Sequence, residues 1–178
     1  MSTYIDVYID WHHDVWSDTP LFDDAIDDIS AYVMRYRIHR GVHKEFGNVI
    51  SGVLDLPVTN STGRFSPSNA SSPLYGNLKP WRPVQLVASE DGGDYTLYRG
   101  FVSSIRCYPH LSKQQAFIRC TDGLDLIARH ILTLDKESRT STSPGGALTV
   151  LLNGMGWPAA LRDIDTNGAS LKYPAVLT

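Results

Sequence analysis

The densest group of metal-ligand residue types in this chain is His12-His13-Asp14, with Asp10 and Asp18 close by. Zinc needs its ligands fixed in a tetrahedron, usually by Cys or His at turn or helix spacings. Two adjacent histidines on an extended chain point to opposite faces and do not share an ion. The group therefore reads as a surface loop. Asp23-Asp24 and Asp27-Asp28 are dense enough in carboxylates to suggest calcium. Calcium loops, however, alternate their acids around a glycine, and this segment has no glycine and interposes apolar residues. Glycoside hydrolysis would need two carboxylates across a cleft. Glu45, Glu90 and Glu137 stand separately in polar surroundings and most aspartates crowd the N-terminal run. There is no Gly-x-Ser-x-Gly elbow. Pro144-Gly145-Gly146 lacks the Lys-Ser/Thr of a phosphate-binding loop. Cys107 and Cys120 fall on neighbouring expected strands and read as buried free thiols, too few for a disulfide framework. No catalytic residue, metal ligand or cofactor-binding residue is assigned, no cofactor is expected, and the chain reads as a non-enzyme.

The 178 residues are 42% hydrophobic and 20% charged, enough for one domain with a small appendage. A net charge of −3 argues against general nucleic-acid binding. No apolar run reaches the roughly 18 residues that a membrane-spanning helix requires. The N-terminus goes straight into an alternating segment without the charged and apolar regions of a secretory signal, so none is expected. The charge is uneven. Eight aspartates and no Lys or Arg precede Arg35, and Arg35, Arg37, Arg40 and Lys44 then follow within a few residues. An acidic head beside a basic stripe suggests internal pairing or charge-steered docking between subunits, and the plainer reading is a solvated acidic loop beside an ordinary strand edge.

The elements that would position these residues are mostly strands. Residues 4–11 alternate, with Ile5, Val7, Ile9 and Trp11 on one face and Tyr4, Asp6, Tyr8 and Asp10 on the other. That phase puts Trp11 in a core. Residues 23–30 fit one helical turn or a bend. Residues 31–40 alternate again, and residues 49–58 form a third strand in which Gly52 marks a bulge or a close backbone approach. Asp91-Gly92-Gly93-Asp94 is a hairpin turn between strands at 83–89 and 95–107, with a bend or bulge expected at Gly100. Another strand follows at 113–120. The spacing predicts an antiparallel β-barrel, split or OB-like, over residues 1–121. A small α/β appendage over residues 122–178 completes the chain. It has a helix capped by Asp122, a flexible linker at 134–143, a helix at 147–155 opened by Ser143-Pro144, and a last strand at 169–177.

Residues 60–83 are rich in Ser, Asn, Gly and Pro and too poor in apolar residues to form a core, so this long arm must lie over a surface. Phe65, Leu74, Tyr75, Leu78 and Trp81 are its anchors. Trp81 is either a lid on the barrel end or an interface anchor. Candidate interface residues are Arg64, Phe65, Leu74, Tyr75, Trp81 and Arg82 from the arm, with Arg35 and Arg37 from the basic stripe. Replacing residues 60–83 by a short Gly-Ser turn is expected to leave the barrel folded and to impair assembly.

The order of segments carries a further signal. Residues 27–30 and 40–41, then 52–60, then Asn60-Ser61-Thr62-Gly63-Arg64-Phe65-Ser66-Pro67, then Ser72-Pro73-Leu74-Tyr75-Gly76-Asn77-Leu78-Lys79-Pro80-Trp81-Arg82-Pro83, then residues 95–100, follow one another in this order. Residues 122–131, Met155-Gly156-Trp157-Pro158 and 162–168 continue the series. The succession resembles the front portion of tail-tip or baseplate-hub proteins, a minor tail protein family of tailed bacteriophages. The resemblance implies a structural part of the virion tail, assembled in the host cytoplasm. It implies a ring-shaped homo-oligomer, often a trimer, built on tail-tube-like β-barrels and docked to other phage tail proteins. Members are usually much longer, so the chain reads as a fragment, a partly ordered chain or a shortened relative, and in the first case its second module is the start of a larger domain. The alternative is a carbohydrate- or host-receptor-binding module of a tail, which the tryptophans and tyrosines would line. A tail-associated hydrolase ranks third.

Overall fold

The computed structural model describes residues 4–13, 22, 25–42, 49–90, 92–108, 114–129, 140–157, 159, 162–165 and 171–172. Asp14, Trp16, Asp18, Asp23, Asp24, Lys44, Glu45, Glu137 and most of the linker expected at 134–143 lie outside these residues. The chain divides into two compact units, one holding the described residues up to Ala128 and one those from Arg129 on.

The first unit is one six-stranded antiparallel sheet. Its strands are β1 (Tyr4–Ile9), β2 (Arg37–Val42), β3 (Val49–Thr59), β4 (Pro83–Glu90), β5 (Gly93–Tyr108) and β6 (Gln115–Thr121), in the spatial order β1-β4-β5-β6-β3-β2. Alternation decides the faces. Val7 and Ile9, Leu54, Leu56 and Val58, Val84 and Leu86, and Ala116, Ile118 and Cys120 all point into one core with Trp11. β5 is long enough to pair with β4 through its first half and with β6 through its second. Its register slips at Leu97 and Ser103, between partners Leu86/Val87 and between Val102 and Ser104. Of the bend or bulge expected at Gly100, the bulges fall at Leu97 and Ser103. Gly100 itself is a close approach, because a Cβ there would lie 2.3 Å from the Thr121 carbonyl oxygen. Bulges increase local twist, and β5 carries two.

The expected barrel, split or OB-like, does not close. β1 and β2 end the sheet, and no ladder joins them among the described residues. The reason lies in residues 27–34, which do not continue the strand expected over 31–40. They pass through a single 3-10 turn, Ser30–Tyr32, before β2 begins at Arg37. On one side of this turn Ile9 N donates to the Asp27 carbonyl and Ile29 N to that of Val7. On the other, Met34 N donates to the Pro57 carbonyl. Isolated bridges at Tyr8–Asp28 and Val33–Val58 mark the two crossings. The segment thus reaches from β1 to β3 with isolated bonds where a barrel would have a ladder.

Gly52 does mark a bulge. The pairing of β2 with β3 steps from His39–Val53 to Gly41–Ile50. The freed Gly52 amide donates to the Asp122 carboxylate, and a Cβ at Gly52 would meet that carboxylate at 2.7 Å. The same carboxylate accepts from Ser51 Oγ and from the amides of Leu124 and Asp125, capping helix α1 (Gly123–Arg129) as its N-terminal position predicts. Leu126 is buried. These contacts explain why the division into units falls near the end of α1 and not before it at residue 121.

The second unit contains a two-stranded ladder of β7 (Thr140–Thr142) with β8 (Leu171–Lys172), and helix α2 (Pro144–Gly154). Ser143 Oγ accepts from Gly146 N, and Pro144 takes the first helical position, where its missing N–H costs nothing. Gly156 ends α2 at φ +73°, and Trp157 N turns back to the Leu152 carbonyl. Arg162 closes the turn by bonding Asn153 Oδ1 and the Trp157 carbonyl.

Candidate functional site

The arm, residues 60–82, is a chain of turns that repeats every third residue. The amides of Gly63, Ser66, Asn69, Ser72 and Tyr75 donate to the carbonyls of Asn60, Gly63, Ser66, Asn69 and Ser72 at 3.0–3.1 Å. Asn, Gly or Ser therefore stands at the first position of each turn, and Pro67 and Pro73 follow Ser66 and Ser72 at the second, where φ near −65° fits. Side chains bind the turns together. Asn60 Oδ1 accepts from Phe65 N at 2.8 Å, Asn69 Nδ2 donates to the Gly63 carbonyl at 3.1 Å, and Ser72 Oγ donates to the Arg64 carbonyl at 2.6 Å. Cys107 Sγ donates to the Phe65 carbonyl from β5. The polar groups of the arm are largely consumed by the arm itself.

The eight candidate interface residues separate sharply. Phe65 and Leu74 are fully buried. The Phe65 ring meets Tyr32 edge-on at 5.6 Å between centroids and Trp11 at 6.4 Å. These two residues fill the core from the arm side and have no surface to offer a partner. Arg82 is buried too, with Nε donating to the Asn77 carbonyl, so it is a tie at the arm's base. Arg64 is half-buried, its guanidinium 5.0 Å from the Tyr32 ring centroid and bonded to the Ile26 carbonyl. Trp81 is half-buried with its backbone in the left-handed region at φ 68°, held there by its amide bonding the Val102 carbonyl. Tyr75 is exposed, as are Arg35 and Arg37. Since the arm supplies Phe65 and Leu74 to the core, the expectation that a short Gly-Ser turn could replace it is also corrected. Such a chain would open its core to water.

The face with unspent chemistry is the outer side of β2, β3 and β6. Arg35, Tyr36, Arg37, Asp55, Pro57 and Phe117 line an open cleft of about 450 Å³. Register places Arg37, Asp55, Arg119 and Ser104 side by side across β2, β3, β6 and β5, and Pro57, Phe117 and Arg106 in the next row. Arg119 Nε lies 3.2 Å from Asp55 Oδ1. Arg35, Arg37 and Arg106 pair with no acid among the described residues. Met34 and Tyr36, 56% and 43% exposed, add apolar area beside them. Sequence reasoning found Arg35 and Arg37. It missed Arg106 and Arg119, which only the strand register brings to the same face.

A second charged face lies at the other end of the sheet. Tyr4, Asp6 and Tyr8 alternate outward on β1, and register sets Asp94 in the same row as Tyr4 and Ser89. Asp28 bridges to Tyr8. Burial, then the charges of Asp6, Asp28 and Asp94, raise the Tyr8 phenol above its ordinary value. Arg99 is the neighbouring base, bonded to Gln85.

The other chemistry-bearing residues have structural partners. Asp10, fully buried, accepts from the amides of His12 and His13 and contacts His13 Nδ1 at 2.9 Å. Asp27, also buried, accepts from Trp11 N. Asp28 accepts from Ser30 N and Oγ. No group of three metal-ligand side chains converges among the described residues. Cys120 is fully buried and its thiol is pushed far up by desolvation. Cys107 pairs with Ala116, four positions from Cys120 along β6, so the thiols stand roughly 13 Å apart along the strand direction and are not neighbours.

No protein-family model matches the chain, and no curated protein matches it in sequence. No helix among the described residues is long and apolar enough to cross a membrane.

Proposed function

We propose that the chain is a structural, non-enzymatic component of a bacteriophage tail tip or baseplate hub, acting through contacts with copies of itself and with neighbouring tail proteins. The carrying observation is the outer face of β2, β3 and β6, where exposed arginines without acid partners lie among Tyr36, Met34 and Phe117. Arg, Tyr, Phe and Met are the residue types enriched in protein interfaces. The motif order supports the same reading, since its segments up to residue 129 fall in sequence on β2, β3, the arm, β4, β5 and α1 within a single compact unit. On this reading the sheet and its bridging segment at 27–34 are the counterpart of the split barrel of tail-tube proteins. The arm is a rigid shoulder that offers Tyr75 and one side of Trp81 to a neighbour.

The test is immunogold or affinity-tag labelling of this chain in phage particles. Label confined to the distal end of the tail supports the role. Absence from purified particles overturns it, and glycan-array binding by the isolated protein would favour a carbohydrate-binding module instead.

A further inference from the structure

We propose that one copy of this chain docks its acidic β1 end onto the basic outer face of β2, β3 and β6 of the next copy. The inference deepens the assembly role above and rests on it for its biology, although the contact itself belongs to the isolated chain. Three observations carry it.

First, the two patches are opposite in sign and lie at opposite ends of one sheet, with four strands between β1 and β2. One holds Asp6, Asp28 and Asp94 against Arg99, and the other holds Arg35, Arg37, Arg106 and Arg119 against Asp55. Second, they do not neutralise each other internally, because no ion pair links Asp6, Asp28 or Asp94 to Arg35, Arg37 or Arg106. Asp28 accepts from Ser30 and Asp94 accepts from Ser89 Oγ, but neither these carboxylates nor Asp6 meets a basic side chain in an ion pair among the described residues. Third, each patch pairs its charges with flat or pliable apolar side chains. Tyr4 is 63% exposed beside Asp6, and Tyr36 and Phe117 border the arginines. Guanidinium groups stack on tyrosine faces as well as pairing with carboxylates, so the patches match in two ways at once. Two different patches of one chain make a head-to-tail contact, which closes into a ring when the rotation between copies allows it.

Sedimentation of the full chain at low and high salt tests this directly. Association should weaken as the screening length falls from about 10 Å at 0.1 M to about 3 Å at 1 M salt. Asp6→Lys with Asp94→Lys, and separately Arg35→Glu with Arg37→Glu, should each weaken self-association by about tenfold or more. Mixing the two variants, or combining all four changes in one chain, should restore it, because reversed acid then meets reversed base. Restoration also excludes misfolding as the cause of the loss. A chain that stays monomeric at every salt concentration, or reversals that leave association unchanged, would overturn the contact. A monomer still incorporated into tails would sink this contact and leave the tail role standing. A salt-sensitive oligomer absent from particles would do the opposite.

Discussion

The arm at 60–82 and the outer face of β2, β3 and β6 both looked like interaction surfaces in the sequence, and they resolve into opposites. In the arm, five successive backbone turns and the side chains of Asn60, Asn69 and Ser72 bind the segment to itself, and Phe65 and Leu74 are lost to the core. On the outer face, Arg35, Arg37 and Arg106 are exposed and pair with no acid among the described residues, and the apolar residues beside them stay partly exposed. The comparison teaches that residue type flags a segment as special but does not say for whom. A buried polar group without a partner costs about 1 to 3 kcal/mol, so an ordered loop satisfies itself first. Exposed charges carry no such penalty and stay available.

The sharpest way to break this contrast is Phe65→Ala. If the arm is a core clamp, the change should cost about 3 to 5 kcal/mol, read as a lower urea midpoint. An unchanged midpoint would return Phe65 to the list of contact residues. Asn60→Ala should cost about 1 to 3 kcal/mol, because the Phe65 amide and Ser66 hydroxyl lose their partner. Its measurement is the same, with proteolysis inside 60–82 as a local readout.

Titration separates interior from surface without mutation. Burial raises the thiol of Cys120 and the phenol of Tyr98 well above their ordinary values of 9.0 and 10.0. The folded chain then holds protons that the unfolded chain releases. The stability these groups contribute is complete below the ordinary values and is lost as pH rises past them toward the folded values. Each should weaken the folding equilibrium by roughly tenfold per pH unit in that window. Urea midpoints at about pH 8 and about pH 11 measure it, and Tyr98→Phe should flatten the decline. The smallest effect is expected at Arg37→Ala, within about 0.5 kcal/mol of the parent in stability. A larger loss would mean that Arg37 is structural and would erase the contrast.

Much of the sheet was legible in the sequence. Alternation places β1 and β3 with the correct faces, the Gly92-Gly93 turn places β4 and β5, and Asp122 and Ser143-Pro144 place both helix starts. The bulge at Gly52 was legible because a glycine inside a strand has few other uses. The missing closure was not, since residues 31–34 carry the alternation of a strand and only their three-dimensional path shows the 3-10 turn at Ser30–Tyr32. Nor did composition separate Phe65 and Leu74 from Tyr75. An apolar residue in a polar run is equally a core anchor or a contact residue until burial decides. Arg106 and Arg119 stand far from Arg35 in the chain, and register alone assembles that face. One signal was present and unread: Asn60, Gly63, Ser66, Asn69 and Ser72 recur every third residue.

That count of three constrains how the segment can change. Adding or deleting one residue between 61 and 72 would rotate every later step, swinging Leu74 off its seat and turning Tyr75 inward. Exchanging one small turn-former for another would not. Exposed connections ordinarily vary freely in size, yet this one should preserve its length more strictly than its letters.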